Sequence, residues 1–455
     1  MKFANREKEL ATLESEYKSD RFSFTVIYGR RRVGKTRLIR EFIRDKHSLY
    51  FLADTGTENL NMERFRNIAA ELLNDQLLKQ IDFSDWQSLV KYVVTHTGKE
   101  KKLIIVIDEF QYLVKINPAI PSVFQSVVDE ILQRENCMLI LCGSIISLMY
   151  KATLGYDSPL YGRRTSQIKL QALSFDDFQL LFKKVSQVRC LEFYGMLSGI
   201  PKYIELFEPH SDIYKSIEKN FLDPNRFFYQ EPRFLLNEEV SSNKTYFSIL
   251  QIIAEGSHKL GEIASRMGVK TQNITSFLNT LRDLEIIERE VPIFEANPEK
   301  SRKGLYFFKD YFLKFWFKFI FPFSSYLEMG HTSWVLSSIR NSFNEYTSLV
   351  FEKTAQEIIM KNPPFPILKI GRFWDKDLEI DLVAIGKTEI LFGECKWSNQ
   401  KVGGNILRDL KKKVSHLRFK ELENKTINYA LFSKKGFTRA VMEMKDKKTH
   451  LISLS

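Results

Sequence analysis

Four short runs of apolar residues stand out along the chain: Phe24-Thr25-Val26-Ile27, Leu49-Tyr50-Phe51-Leu52, Leu103-Ile104-Ile105-Val106-Ile107 and Met138-Leu139-Ile140-Leu141-Cys142. Runs this short, apolar on both faces, read as strands buried in a parallel sheet. Between them, residues 61–99 carry the helical period with few breakers, and Phe3-Ala4-Asn5-Arg6-Glu7-Lys8-Glu9-Leu10 opens an amphipathic helix to about Tyr17. The pattern predicts an α/β amino-terminal half.

The period then changes. Lys244 to Ala254, Leu260 to Met267 and Thr271 to Leu284 predict three helices, with Gly268 in the turn and Thr271 as the cap of the third. Ile286–Arg289 and Gly304–Phe307 predict a hairpin, so 239–323 reads as a winged helix-turn-helix. Phe307 to Phe323 is dense in aromatics, but Lys309, Asp310, Lys314 and Lys318 interrupt it, which argues for a core helix and against a membrane span. Beyond an expected linker at 324–340, the pattern gives a helix at 342–360 and strands at 367–373, 378–385 and 389–396. A basic helix at 403–420 and a strand at 427–432 follow.

At 455 residues the chain exceeds one ordinary core. No signal-peptide core or bilayer-length apolar run is present, and Cys137, Cys142, Cys190 and Cys395 are scattered. The expectation is a cytoplasmic protein with reduced thiols and no His/Cys metal site. The net charge is +12, and residues 396–448 hold fifteen Lys/Arg against five Asp/Glu. So local an excess favours a polyanion such as DNA as partner.

Chemistry enters after the first strand. Gly29, Gly34, Lys35 and Thr36 meet the G-x-x-x-x-G-K-[ST] spacing, with Arg30, Arg31, Arg32 and Val33 inside the loop and Arg37 just beyond. In such a loop the backbone N–H groups face phosphate, the lysine neutralises it, and the threonine hydroxyl ligates Mg²⁺. The expected ligands are therefore ATP and Mg²⁺. Asp108 and Glu109 end the third strand, where a carboxylate would hold Mg²⁺ through water and a second would polarise the attacking water. Ser144 ends the fourth strand as a sensor candidate; a serine closing a strand or capping a helix is the alternative. Arg163 and Arg164 could reach a γ-phosphate in cis or from a second copy, the latter implying a homo-oligomer.

Gly-Arg-Arg-Arg-Val-Gly-Lys-Thr at 29–36, Ile-Asp-Glu-Phe-Gln-Tyr at 107–112, Cys-Gly-Ser at 142–144 and Ser-Gly-Ile-Pro-Lys-Tyr at 198–203 together resemble the archaeal-type ATPase family, an AAA+/STAND-like branch of P-loop proteins. The resemblance implies an ATPase core at 1–174 and a helical lid at 175–238. Ser198 stands where the family has the first of two glycines. For the winged helix, two readings are open. Lys270, Gln272, Asn273 and Arg282 could meet DNA, or the module could dock another domain or a protein partner.

At the carboxyl end, Asp381, Glu394 and Lys396 give D-x(12)-E-x-K on two adjacent predicted strands, with Glu352 on the preceding helix. Two carboxylates can hold Mg²⁺ while a lysine steadies phosphate charge. Residues 341–455 resemble the PD-(D/E)xK nuclease superfamily, with Ile380 in place of its proline. The full expectation is an α/β P-loop NTPase with lid, winged helix and restriction-endonuclease-like domain. Its ATP state would control a DNA-directed nuclease. The alternative is an ATP-switched DNA-binding or scaffolding protein with an inactive nuclease fold.

Overall fold

The computed structural model describes residues 5–98, 100–182, 184–208, 212–240, 243–376 and 378–454. Phe3 and Ala4, expected to open the first helix, lie outside them. The described residues up to 172, with 200–202, form one compact unit; 173–199 and 203–454 form a second.

In the first unit, β1 (Ser23–Tyr28), β2 (Ser48–Leu52), β3 (Leu103–Asp108), β4 (Cys137–Gly143) and β5 (Ser166–Lys169) make a parallel sheet in the order β2-β3-β4-β1-β5. β1, β3 and β4 are covered on both faces except at Tyr28, which accounts for their unbroken apolar runs. Trp86, Phe51, Phe65 and Phe124 pack together as an aromatic cluster, with Phe65 edge to face against Phe51 and Trp86. The order places β4 between the strand feeding the Gly29–Thr36 loop and the strand ending in Asp108.

The second unit begins with five helices between Phe175 and Glu239, interrupted by tight turns. Ser198 and Gly199 turn the chain with φ of 54° and 65°. The Ser198 hydroxyl accepts from the Tyr311 N–H at 3.0 Å, a use for a side chain where the family has glycine. Gly199 has no such latitude, because a Cβ there would lie 2.1 Å from the Leu173 carbonyl oxygen. Gly199→Ala is therefore expected to destabilise the protein by about 2–4 kcal/mol, combining left-handed strain with a backbone clash. A thermal melt with an unshifted first transition would contradict this.

Helices Asn243–Ala254, Leu260–Arg266 and Thr271–Asp283 precede the antiparallel pair β6 (Ile287–Glu290) and β7 (Leu305–Phe308). Lys270, and not Thr271, is the N-cap of the third helix, which starts without a side-chain cap. The aromatic helix Tyr311–Phe319 is interior, with Trp316 Nε1 donating to the Tyr229 carbonyl at 2.9 Å. Its Lys314 ammonium is pushed down to about 8 by burial, with neighbouring Lys318 adding to the shift.

The expected linker at 324–340 is mostly helical. Ser324–Glu328 is a short helix, and a 30-residue helix runs from Thr332 to Lys361. Val335, Leu336, Ile339, Phe343, Tyr346 and Val350 are buried along it at helical spacing, so its first turns are anchored like the rest. Tyr326 stacks on Trp334 at 5.0 Å across the bend between the two helices.

The chain ends in a five-stranded sheet: β8 (Ile367–Asp375), β9 (Leu378–Gly386), β10 (Glu389–Lys396), β11 (Thr426–Ser433) and β12 (Thr449–Ser453). β8, β9 and β10 are antiparallel neighbours, whereas β10, β11 and β12 run parallel. The helix Gly404–Ser415 makes the crossover that a parallel β10–β11 pair requires. No described helix is long and apolar enough to cross a membrane.

Candidate functional sites

The loop after β1 is wound by backbone geometry that most side chains resist. Gly29 has φ 150°, Arg32 70° and Gly34 100°, and Gly34 is the N-cap of the helix Lys35–Ile43. A Cβ on Gly29 would meet the Leu170 carbonyl oxygen at 2.3 Å. Arg6, in the turn before the first helix, donates to the carbonyls of Gln171 at 2.7 Å and Val33 at 3.3 Å, tying the loop from outside. Val33 is buried, Arg30, Arg31 and Arg32 are half-buried, and Arg37 is exposed. Arg31 reaches the Tyr112 hydroxyl at 3.4 Å.

Lys35 is almost fully covered, and its ammonium donates to the carbonyls of Gly29 at 2.8 Å and Arg30 at 3.0 Å. Burial lowers its pKa, opposed by Cys142, Glu109 and Asp108. Asp108, fully buried, accepts from the Thr36 hydroxyl and from the Tyr50 hydroxyl, each at 2.8 Å. Burial, then the Asp108 charge, pushes the Tyr50 phenol up. A buried carboxylate and a hydroxyl brought together beside a phosphate-type loop form the hard oxygen set that suits Mg²⁺, and the loop suits a nucleotide triphosphate.

Glu109 has φ 57°, so its backbone turns sharply away from β3. Its carboxylate accepts from the Ser144 hydroxyl at 2.7 Å and from the Gln111 amide, while Gln111 also donates to Ser144 Oγ at 3.2 Å. Gln111 is fully buried, and a Cβ on Gly143 would sit 2.3 Å from its Oε1. Ser144 is thus brought to Glu109 by the position of β4. Tyr50 does not stand out in the sequence, and Gln111 does so only as part of the 107–112 motif. The one signal for Gln111 is its place two residues after Glu109; for Tyr50 there is none short of strand pairing.

The arginine candidates are placed elsewhere. Arg163 forks onto Asp129 with contacts of 2.7–3.0 Å, and Arg164 lies over the Tyr161 ring at 5.8 Å. In this structure the Arg163 guanidinium is committed to the Asp129 carboxylate, and in the role expected of it that pair would be exchanged for a phosphate.

In the second unit, β9 and β10 bring Asp381 and Glu394 together as their antiparallel register, Leu382 opposite Gly393, demands. Asp381 Oδ2 accepts from the Cys395 N–H at 2.8 Å. Lys396, two residues past Glu394 on the same strand face, donates to Glu394 Oε1 at 2.9 Å. Burial, then the Glu394 charge, raises Asp381 to about 6. Burial, then the Asp381 charge, raises Glu352 to about 7. Burial opposes the Lys396 charge, but the hydrogen bond to Glu394 together with the charges of Glu394 and Asp381 outweighs this and holds its pKa above the usual value. The Glu394 charge disfavours ionised Asp381, so added positive charge is favourable beside it, and the donor set of Asp381 and Glu394 fits a divalent cation.

The expected third acid is not part of that set. Among the described residues no three His, Cys, Asp or Glu side chains are arranged to hold a metal, and Glu352 lies 3.5 Å from the Arg372 guanidinium instead. Arg372 also meets Glu379 and lies 3.9 Å from Glu290 on β6. Lys353 pairs with Glu288 at 2.8 Å and with Glu290. The segment after β6 then lies along β8: Ile293 N–H donates to the Arg372 carbonyl at 2.9 Å, and Phe294 stacks on Phe419 at 4.4 Å. A further cation, Lys413, has no signal in the sequence. It reaches Glu394 from the Gly404–Ser415 helix, at 3.3 Å to Oε1 and 3.2 Å to Oε2.

On the third helix of the central module, Lys270, Gln272 and Asn273 are exposed, while Arg282 is half-buried and lies near Asn279. These side chains are open to a partner, and no feature of the helix selects which.

Comparison with known proteins bears on the family and the fold. A family model described as an ATPase domain predominantly from Archaea matches residues 3–207, and one described as archaeal and bacterial proteins of unknown function matches residues 316–412. An uncharacterized protein of Methanocaldococcus jannaschii is 37% identical over 443 residues, 95% of this chain and 96% of its own. An uncharacterized ATP-binding protein of the same organism is 46% identical over 44 residues, 10% of this chain and 75% of its own. Among solved structures, the Walker-type ATPase of Pyrococcus abyssi aligns with a TM-score of 0.50 at 18% identity, covering 70% of this chain and 96% of its own, a likeness of fold. The chain belongs to the archaeal-type P-loop ATPase family, sharing with the M. jannaschii protein nearly its whole length from the ATPase domain through the carboxyl-terminal one.

Proposed function

We propose that this protein hydrolyses ATP at the loop 29–36 and that its nucleotide state governs a DNA-directed, metal-dependent phosphodiesterase site in the carboxyl-terminal sheet. For the first activity the carrying observation is the Thr36–Asp108 hydrogen bond with Glu109 beside it. Lys35 and the loop N–H groups bind the phosphates, Thr36 and Asp108 hold Mg²⁺, and Glu109 takes a proton from water. Lys35→Ala should weaken binding of a fluorescent ATP analogue by about a hundredfold, since it removes a charge-assisted contact from a covered site. Undiminished binding would refute that assignment.

For the second activity the carrying observation is the meeting of Asp381, Glu394 and Lys396 on β9 and β10. Asp381 and Glu394 hold the metal, whose contribution is to activate water and polarise a phosphodiester. Lys396 stabilises charge on the phosphate. The exposed Lys270, Gln272 and Asn273, read as a winged-helix face, and the basic tail supply backbone contacts. The deciding experiment is cleavage of supercoiled plasmid and single-stranded DNA in Mg²⁺ or Mn²⁺, with and without ATP, beside Asp381→Ala. Metal-dependent cutting lost in the variant supports the proposal.

A second reading is favoured by the ion pairs that already occupy Glu394 and Glu352. On that reading the protein is an ATP-switched DNA-binding or scaffolding protein that cuts nothing. It requires DNA affinity that falls steeply with salt and no cleavage in any nucleotide state.

A further inference from the structure

Glu394 is nearly buried and faces two ammonium groups at once, Lys396 at 2.9 Å and Lys413 at 3.2 Å. Asp381 stands beside it, and Glu352 has its own cation in Arg372. The charges of Glu394 and Glu352 are therefore already offset by side chains of the same chain, while Asp381 accepts from the Cys395 N–H. A divalent cation seated between Asp381 and Glu394 would bring two more positive charges within a few ångströms of both lysines. The cation and both lysines cannot all share Glu394; one lysine has to leave.

The two lysines hold Glu394 in different ways. Lys396 sits two residues along β10 from Glu394, at a separation the strand fixes, and meets one carboxylate oxygen, Oε1, with its side chain 38% exposed. Lys413 comes from a helix whose buried residues are Leu407, Leu410 and Val414. That packing anchors its backbone, while its side chain, 34% exposed and so about as open as that of Lys396, can swing its head into water on a four-carbon stem. It contacts both Glu394 oxygens, the position a chelated cation would take.

We propose that Lys413 is a built-in gate of this site. It occupies the metal's place on Glu394 and leaves it for a phosphate of a bound DNA strand, so that metal loads with the polyanion rather than before it. This rests on the reading of Asp381 and Glu394 as metal ligands. Withdrawal costs Lys413 one ion pair and returns another, to phosphate, at the edge of the same site. The nuclease is thereby kept from holding metal when no substrate is present.

The test is Mn²⁺ binding by the full-length protein without nucleotide, followed through the electron paramagnetic resonance signal of free Mn²⁺. Wild type, Lys413→Gln, Lys413→Arg and Asp381→Asn are compared, with and without a short DNA duplex whose own Mn²⁺ binding is subtracted. Lys413→Gln should bind Mn²⁺ about tenfold more tightly than wild type without DNA, and Lys413→Arg should not. The duplex should tighten wild type by about the same factor and change Lys413→Gln little. If Lys413→Gln binds no more tightly than wild type while Asp381→Asn binds more weakly, the gate is refuted and the metal site stands. If Asp381→Asn matches wild type with and without DNA, the metal site itself is refuted, and the gate falls with it.

Discussion

Glu109→Gln should bind ATP as wild type does and hydrolyse it about a hundred to ten thousand times more slowly, the range a positioned general base contributes. The substitution keeps the shape and an oxygen able to accept the Ser144 hydroxyl, so the local fold should survive. What it removes is the charge that draws a proton from water. Asp108 is untouched, and with it the Thr36 contact that serves Mg²⁺, which is why binding should persist. The check is a single-turnover hydrolysis assay beside equilibrium binding of an ATP analogue. Equal turnover of variant and wild type would remove Glu109 from the role of base.

Asp381→Ala and Lys396→Ala should part company. The first removes a metal ligand, so Mn²⁺ binding and DNA cleavage should be lost together. The second takes away a competitor for Glu394, so Mn²⁺ should bind at least as tightly as in wild type. Cleavage should still fall by about a hundredfold or more, because phosphate charge loses its stabilising ammonium. Measuring both quantities on both variants separates ligand from electrostatic partner. Cutting at the wild-type level by both would rule out the site.

How legible these arrangements are in the sequence depends on the distance over which each is encoded. The runs 103–107 and 138–142 are strands because nothing polar interrupts them, and Asp108, Glu109 and Ser144 follow from where those runs stop. Lys396 is legible from the two-residue strand repeat. Lys413 is not, since its meeting with Glu394 depends on how a helix seats against a sheet. The Arg163–Asp129 pair is illegible for the same reason: the two lie 34 residues apart and no local pattern joins them. The stretch 324–340 does carry a helical spacing in Val335, Leu336 and Ile339, continued at Phe343, but Gly330 and the polar residues around it outweigh that signal.

The segment that follows β6 has a practical consequence for anyone dissecting the protein. Ile293 and Phe294 cover part of β8, an edge strand of the carboxyl-terminal sheet, by a main-chain bond to Arg372 and a ring against Phe373. A fragment begun at residue 341 would carry β8 without that cover, leaving an unprotected row of N–H and C=O groups and an uncovered Phe373–Phe419 surface. Such a fragment should self-associate in solution, whereas one begun near residue 243 retains its own shield. Failure of the shorter piece to cut DNA would then reflect aggregation and leave the chemistry of Asp381 and Glu394 untouched.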